Sequence, residues 1–209
     1  MRVKLLCLGV ATLGLITSIA PQAQAQGLRG ILRVGGDFGG DPVITFQYAD
    51  GSKPKVESGG GLVASGGAAL QLFGSADQAL DLQATAGVKY RTIPPASNQT
   101  ASWIRYPVEG LLMYRTPFHL RVGGGATMHL ANVLETSGSV SNSRYEFKNN
   151  PGAVFQGEYD FGAMALDLRY TMMNYEVAKG GTGTVKANSL GLGFSLAFGG
   201  SSSSPAKAH

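Results

Sequence analysis

The stretch LDLQATAGVKY, residues 80–90, decides the fold class of this chain. Leu80 and Leu82 share one parity, while Asp81 and Lys89 occupy the alternate positions. Successive side chains leave opposite faces of a pleated strand, so this period of two predicts a strand with one apolar and one polar face. A helix, with its period of 3.6, does not place residues in this way.

The same alternation recurs in eight segments of the chain, at residues 28–48, 53–72, 80–91, 101–115, 118–131, 152–161, 163–177 and 187–198. The links after the second, fourth and sixth segments are short. The links after the third, fifth and seventh are longer and polar, above all Asn132 to Pro151. An even number of strands with short turns on one side and long loops on the other is typical of bacterial outer-membrane barrels.

The first hairpin has two interpretations. The run Gly39-Gly40-Asp41-Pro42 interrupts the alternation before it resumes at Val43. One interpretation is a pair of long strands that project beyond the membrane with a bulge or kink at this point. The other is an independent small hairpin, which would raise the number of strands to ten.

The amino terminus predicts export. Residues 1–25 combine Arg2 and Lys4 with an apolar run and end in Ala23-Gln24-Ala25, which is the layout of a signal peptide for the Sec pathway. The apolar run is shorter than the roughly 20 residues that a membrane-spanning helix needs. Cleavage would remove Cys7, the only cysteine of the 209 residues, so disulfides would not stabilise the mature chain.

Backbone hydrogen bonding decides which architectures can cross a membrane. No segment after Ala25 is apolar enough for a spanning helix, and a closed barrel is the other architecture that satisfies the backbone in lipid. We therefore expect an all-β fold, a single antiparallel up-and-down eight-stranded transmembrane β-barrel over residues 26–198. A soluble sandwich, which would bury the apolar face, is the alternative. Residues 199–209 are polar and predict a disordered periplasmic tail.

The chain resembles the small eight-stranded outer-membrane barrels of Gram-negative bacteria, a group that includes the OmpA transmembrane domain and the OmpX-like and OmpW-like proteins. The signal peptide, the Gly-Gly-Asp-Phe-Gly-Gly run at 35–40 and the closing strand Ser189 to Phe198 carry the resemblance. It implies the outer membrane as location, and an aromatic-ended last strand of the kind that the barrel-assembly machinery reads. The resemblance is architectural and specifies no single function.

The polar residues at alternate strand positions predict which side chains line the barrel interior. A barrel of about eight strands is wide enough only for its own side chains, so we expect a filled, ion-paired lumen without a continuous channel. Trp103 shares the parity of Arg105 and should face inward or lie above the membrane. The predicted interior polar network consists of Arg33, Asp37, Asp81, Lys89, Arg91, Arg105, Glu109, Arg121, Glu158, Asp167 and Arg169.

Catalysis is not expected. His129 is the candidate base of a lipid A-modifying enzyme, but Leu130 and Ala131 follow it where lipid A deacylases have a His-x-Ser pattern. His, Cys and carboxylate spacings suggest no metal, and we expect no cofactor.

The hypothesis is therefore a non-enzymatic barrel that contributes to envelope structure and presents loops for surface interaction. An OmpW-like barrel for uptake of small hydrophobic molecules is the alternative. Expected partners are outer-membrane lipid and lipopolysaccharide, whose phosphates could meet the basic loop residues Lys53, Lys55, Arg144 and Lys148. Nucleic acid is not expected for an exported chain, and the sequence does not identify a loop ligand.

Overall fold

A computed structural model describes residues 27–45, 51, 53, 55–75, 77–96, 99–138 and 142–199. The predicted signal peptide lies outside these residues, as does the predicted tail beyond Gly199. Across the described ranges, no helix is long and apolar enough to cross a membrane.

The described residues form thirteen strands. The alternation of apolar and polar side chains favours strands throughout. Their bounds are β1 Leu28–Phe38, β2 Pro42–Thr45, β3 Lys55–Glu57, β4 Gly61–Gly74, β5 Ala79–Ala96, β6 Gln99–Arg115, β7 Leu120–Gly138, β8 Ser143–Phe147, β9 Pro151–Asp160, β10 Met164–Met172, β11 Asn174–Lys179, β12 Thr184–Lys186 and β13 Ser189–Phe198.

Eight strands close into an antiparallel ring in the order β1-β4-β5-β6-β7-β9-β10-β13. Closure is made by β1 and β13, where Gly30 stands opposite Phe198 and Phe38 opposite Leu190. Each ring strand pairs with its neighbour in sequence order, so the topology is up-and-down. The predicted fold class, an eight-stranded closed barrel, is confirmed.

The other five strands extend the hairpins on the side of the longer links. The pair β2 and β3 forms a separate two-stranded sheet beyond β1 and β4. The break lies at Gly39 and Gly40, both with positive φ, so the first hairpin is interrupted as expected but adds no strand to the ring. Strands β8, β11 and β12 form a second extension, in which β8 pairs with β7 and β11.

The prediction of a polar link from Asn132 to Pro151 is wrong in its bounds, because β7 continues to Gly138 and β8 returns from Ser143 to Phe147. A bulge explains the error. Ala131 has φ 44°, and the pairing of β7 with β6 shifts by one residue beside it. Below Ala131 the odd-numbered residues of β7 therefore face inward, and above it the even-numbered residues do. Because the sequence-based prediction followed one fixed alternation, the predicted strand ended at Ala131.

The outer wall of the ring is apolar. Large side chains such as Leu62, Leu168 and Phe194 are about half exposed or more although they belong to strands. The aromatic residues Phe73, Tyr114, Phe118, Phe161 and Phe198 lie near the short turns, and Tyr90, Tyr106 and Tyr170 lie toward the long links, all exposed. This arrangement corresponds to an apolar band with aromatic girdles at both ends.

Candidate functional site: the ion-paired lumen and its apolar cap

The lumen near the short turns contains two ion-pair groups. Asp81 accepts from Arg29 at 2.5 Å and from Arg115 at 3.0 Å. On the opposite wall, Arg121 approaches Glu158 at 2.5 Å and Asp160 at 2.9 Å. Asp81, Arg121 and Glu158 are buried, so this end of the lumen is filled by charges that neutralise one another.

A small apolar cluster lies inside the lumen beside these pairs, since Met113 stands opposite Asp81 in the register of β5 and β6. Leu111, Met113 and Val154 are almost fully buried and form one cluster. Met113 packs where Gly123 provides space, since a Cβ at Gly123 would lie 2.6 Å from the Met113 sulfur. These residues were not predicted to be buried together, because Leu111 and Met113 occupy positions where the alternation predicts polar side chains.

Three further ion pairs fill the upper lumen. Arg33 donates from Nε to Asp167 at 2.8 Å, Arg169 pairs with Glu109 at 2.5 Å and Lys89 pairs with Asp37 at 2.6 Å. Each pair joins strands far apart in sequence, so the charges tie the barrel across its interior. Buried charges are tolerated only when paired and hydrogen-bonded.

The structure thus brings ten of the eleven residues of the predicted network into the buried interior. Arg91 differs, because its side chain is only partly buried. It lies beside the turn before β4, where a Cβ at Gly60 would be 3.2 Å from its guanidinium. This ring has polar side chains inside and apolar side chains outside, which is the reverse of a soluble sandwich. A closed ring with this arrangement is stable only in lipid. The chain is an eight-stranded transmembrane β-barrel.

Arg105 makes a different set of contacts from the other buried cations of the barrel. Its guanidinium is fully buried and donates to the carbonyls of Ser58 at 2.6 Å and Gly60 at 2.5 Å. It also lies 4.5 Å from the ring centre of Trp103. Within the described residues it has no carboxylate partner, so the backbone of the β3–β4 turn compensates its charge.

An apolar cap closes the upper end of the lumen. We use the name apolar cap for the buried cluster Val56, Ala101, Trp103, Leu134, Phe147, Met173, Tyr175 and Ala187. Its centre is aromatic, since Trp103 stacks on Phe147 with ring centres 5.3 Å apart and Tyr175 lies 5.7 Å from Trp103. The hairpin extensions contribute Val56, Phe147 and Tyr175 to it, and the upper parts of β6 and β7 contribute Ala101, Trp103 and Leu134. Two of these residues, Leu134 and Phe147, belong to the segment expected as a polar loop.

Hydrogen bonds fix the apolar cap to the barrel. The Trp103 indole donates to Asn132 Oδ1 at 2.5 Å, and the Ser58 hydroxyl donates to the Lys186 carbonyl at 2.6 Å. The bulge at Ala131 turns Asn132 and Leu134 inward, where both are buried. The inward alternation of Met173, Tyr175 and Val177 above Arg169 was the sequence signal that could have predicted an apolar upper interior.

His129 lies at the boundary between ions and apolar cap. It is buried and hydrogen-bonds through Nδ1 to the Tyr175 hydroxyl, and its ring packs on that of Tyr175. Of the serines that follow His129 in the chain, Ser137 lies in the outer part of β7 and Ser143 begins β8, while Ser139 and Ser141 lie outside the described residues. Among the residues that are described, no three His, Cys, Asp or Glu side chains form a group that could hold a metal ion.

Ion pairs also line the outside of the second extension. Arg144 pairs with Glu135 at 2.5 Å and with Glu146 at 3.3 Å, while Lys179 approaches Glu146 at 2.9 Å. Lys148 pairs with Glu176. Hydrogen bonds from Lys179 and then Arg144 lower the pKa of the Glu146 carboxyl below its ordinary value.

Comparison with known proteins gives similar structures only. No family model and no curated sequence matches this chain. Ail, the attachment invasion locus protein of Yersinia pestis, solved with the heparin analogue sucrose octasulfate, is similar at a TM-score of 0.49 and 12% identity, over 83% of this chain and 99% of that chain.

Two other solved structures are similar at lower TM-scores. Neisserial surface protein A has a TM-score of 0.45 at 14% identity, over 81% of this chain and 96% of its own. The outer membrane protein AlkL, solved in lipid bilayers, has a TM-score of 0.35 at 16% identity, over 83% and 88%. These identities are too low to transfer a residue role or a ligand.

Proposed function

We propose that this barrel is a non-enzymatic component of the outer membrane that strengthens the envelope and presents a folded extracellular surface. The observation that carries the proposal is the double closure of the lumen. Buried ion pairs fill its length, and the apolar cap covers its upper end. A protein built for passage would keep open the space that these side chains occupy.

Energetics support a closed interior. An ion that crossed the lumen would have to separate buried pairs such as Arg33–Asp167, whose side chains are at most 3% exposed. It would also have to pass the ring stack of Trp103 and Phe147, which offers no hydrogen bond along its faces. Breaking one buried pair costs about 3 to 5 kcal/mol, far above thermal energy.

The apolar cap also supports a role in surface presentation. Loops that bury a core have a defined shape, in contrast to loops that only connect strands. The outward side of β8 and β11, with Lys148 directly after β8, carries ion pairs that include Arg144–Glu146, Lys148–Glu176 and Lys179–Glu146. A fixed polar surface of this kind suits recognition of a partner outside the cell.

The uptake alternative is less well supported. It needs an apolar passage from the extracellular side to the wall, whereas Trp103, Phe147 and Tyr175 fill that region and Arg105 lies below them. The enzyme alternative needs a hydroxyl nucleophile and an acid at His129, whose described hydrogen-bond partner is the Tyr175 phenol. We therefore retain the structural role.

Electrical recording tests the proposal. Purified protein inserted in planar lipid bilayers should give the conductance of a protein-free membrane. The matched control is the double variant Glu109→Ala, Arg169→Ala, which removes the side chains of one central ion pair and should raise leak events. Stable channel openings by the wild type at moderate voltage would disprove the closed lumen, and with it the proposed function.

A further inference from the structure

The outer wall has a notch at the extracellular ends of three neighbouring strands. It lies where β9 begins, β10 gives way to β11, and β12 gives way to β13. The notch has a volume of about 610 Å³, and its lining includes Asn150, Ala153, Met172, Asn174, Lys186 and Asn188. No segment described so far fills it.

The position of the notch is the boundary between the apolar band and the extracellular extension. Directly below it, the exposed side chains are Tyr170 and Leu190, which belong to the lipid-facing wall. Met172 is 40% exposed and continues that wall into the notch. Lipid headgroups lie at this level of a membrane barrel.

The lining divides into an apolar floor and a polar rim. Ala153 and Met172 supply apolar surface, and the small Ala153 side chain leaves room beside Met172. Asn150, Asn174 and Asn188 supply amide groups. Asn188 Oδ1 accepts the Met173 N–H at 3.1 Å, which leaves the NH₂ group of Asn188 as the donor. A molecule that fits must therefore be amphipathic.

Lys186 gives the rim its charge. Its ammonium forms no ion pair among the described residues, whereas Lys148 and Lys179 nearby are paired with Glu176 and Glu146. The neighbouring carboxylate of Asp41 accepts the backbone N–H of Lys186 at 3.2 Å and so helps to fix the position of that segment. An exposed lysine at headgroup level, not neutralised by a partner, favours an anion.

We propose that the notch binds the phosphate-bearing headgroup of an outer-leaflet lipid, with Lys186 at the phosphate, the asparagine amides at neighbouring headgroup oxygens, and an acyl chain along Ala153 and Met172. In a Gram-negative outer membrane this lipid is lipopolysaccharide. The apolar floor, continuous with the lipid-facing wall, assigns the phosphate to a lipid and not to a free ion. The proposal depends on the membrane location and not on the closed lumen, so the conductance result does not affect it.

Native mass spectrometry of the full barrel in detergent, with bisphosphorylated lipid A as the probe, tests the proposal. We expect one lipid A molecule to be retained by the wild type and retention about fivefold weaker for Lys186→Gln, since a lysine near an anionic surface contributes about 1 kcal/mol. Lys179→Gln is the control, because Lys179 is another exposed lysine of the extracellular extension but is paired with Glu146 and does not line the notch. Ala153→Phe, which keeps the charge and fills the floor, should also lose the lipid.

Two further arms separate the chemistry. Lipid A without phosphates should not be retained, and inorganic phosphate at millimolar concentration should not displace bound lipid A. Equal retention by Lys186→Gln, or of the dephosphorylated lipid, would overturn the proposal, and displacement by inorganic phosphate would overturn the assignment to a lipid. Folding of every variant is verified first by its migration with and without heating on a gel.

Discussion

The Arg105 guanidinium lies 4.5 Å from the centre of the Trp103 ring, two positions away on the same strand and the same inward face. The same guanidinium donates to the Ser58 and Gly60 carbonyls. The Arg105 side chain therefore contacts both Trp103 of the apolar cap and the β3–β4 turn. In this way it fixes the first extension to the barrel. A cation in contact with an aromatic face contributes about 0.5 to 2 kcal/mol.

Replacing Arg105 should loosen the first extension. Arg105→Met keeps apolar contact with Trp103 but leaves two buried carbonyls without a donor, at a cost of about 1 to 3 kcal/mol each. We expect amide hydrogen exchange in residues 55–61 to accelerate by tenfold or more. Arg144→Met, at an exposed ion pair, is the control and should leave these amides unchanged. Unaltered exchange in Arg105→Met would show that other contacts fix the turn.

The Arg33–Asp167 pair should be costly to break and inexpensive to replace. Asp167→Leu strands a buried guanidinium, so the free energy of unfolding in lipid vesicles should fall by about 3 to 5 kcal/mol. The double variant Arg33→Met, Asp167→Leu removes both charges and should recover most of the loss. Denaturant titration of both variants measures the difference. A double variant as unstable as the single one would mean that the pair itself stabilises the barrel.

Two wall glycines should differ sharply on substitution by alanine. A Cβ at Gly125 would lie 1.9 Å from the Gly110 carbonyl oxygen, whereas a Cβ at Gly110 meets nothing within 4 Å. We expect Gly125→Ala to unfold at lower denaturant or fail to give the heat-modifiable folded band. Gly110→Ala should fold normally. Similar behaviour of the two variants would contradict the close approach of β6 and β7.

Expression of this protein should leave lipid A unmodified. His129 is buried against Tyr175 and is not presented to the outer leaflet. Mass spectra of lipid A from membranes with and without the protein should therefore be identical, and His129→Ala should change nothing. A mass change that disappears in His129→Ala would establish the enzymatic alternative.

Acid should weaken the pairing of β8 with β11. The pKa of Glu146 is lowered in the folded protein, so its contribution is present above the ordinary value of 4.5 and is lost as the pH falls below it. We expect amide exchange in β8 and β11, corrected for intrinsic rates, to rise between pH 5 and 3. Because Glu146 lies at the surface, the effect should be small and reduced by salt. In Glu146→Gln the same exchange should depend less on pH over this range, because only the Glu146 contribution is removed.

The barrel itself was predictable because alternation is a local property. Each segment such as residues 80–90 carries its own parity, and eight of them with links of alternating length lead to one closed topology. The parity also placed Arg33, Asp167 and their neighbours on the inner face. Which cation pairs with which carboxylate depends on register and ring closure, and a single sequence does not reveal either.

The apolar cap was predictable only in part by the same reasoning. Its formation depends on a one-residue bulge at Ala131 that exchanges the faces of β7, and alanine carries no signal for positive φ. Phe147 and Leu134 then become interior residues within a stretch whose composition is that of a loop. Tertiary packing decided the structure of this region, and local propensity did not.

The seam between β1 and β13 has a consequence for biogenesis. Its two strands are the most distant ring strands in sequence, so their pairing has the highest loop-closure cost and should form last. Until then the nascent sheet has two bare edges, each with unpaired backbone groups able to recruit another chain. The machinery that inserts this protein must therefore shield both edges until β1 pairs with β13. A substitution that weakens only this seam should lead to aggregation and not to a conducting pore.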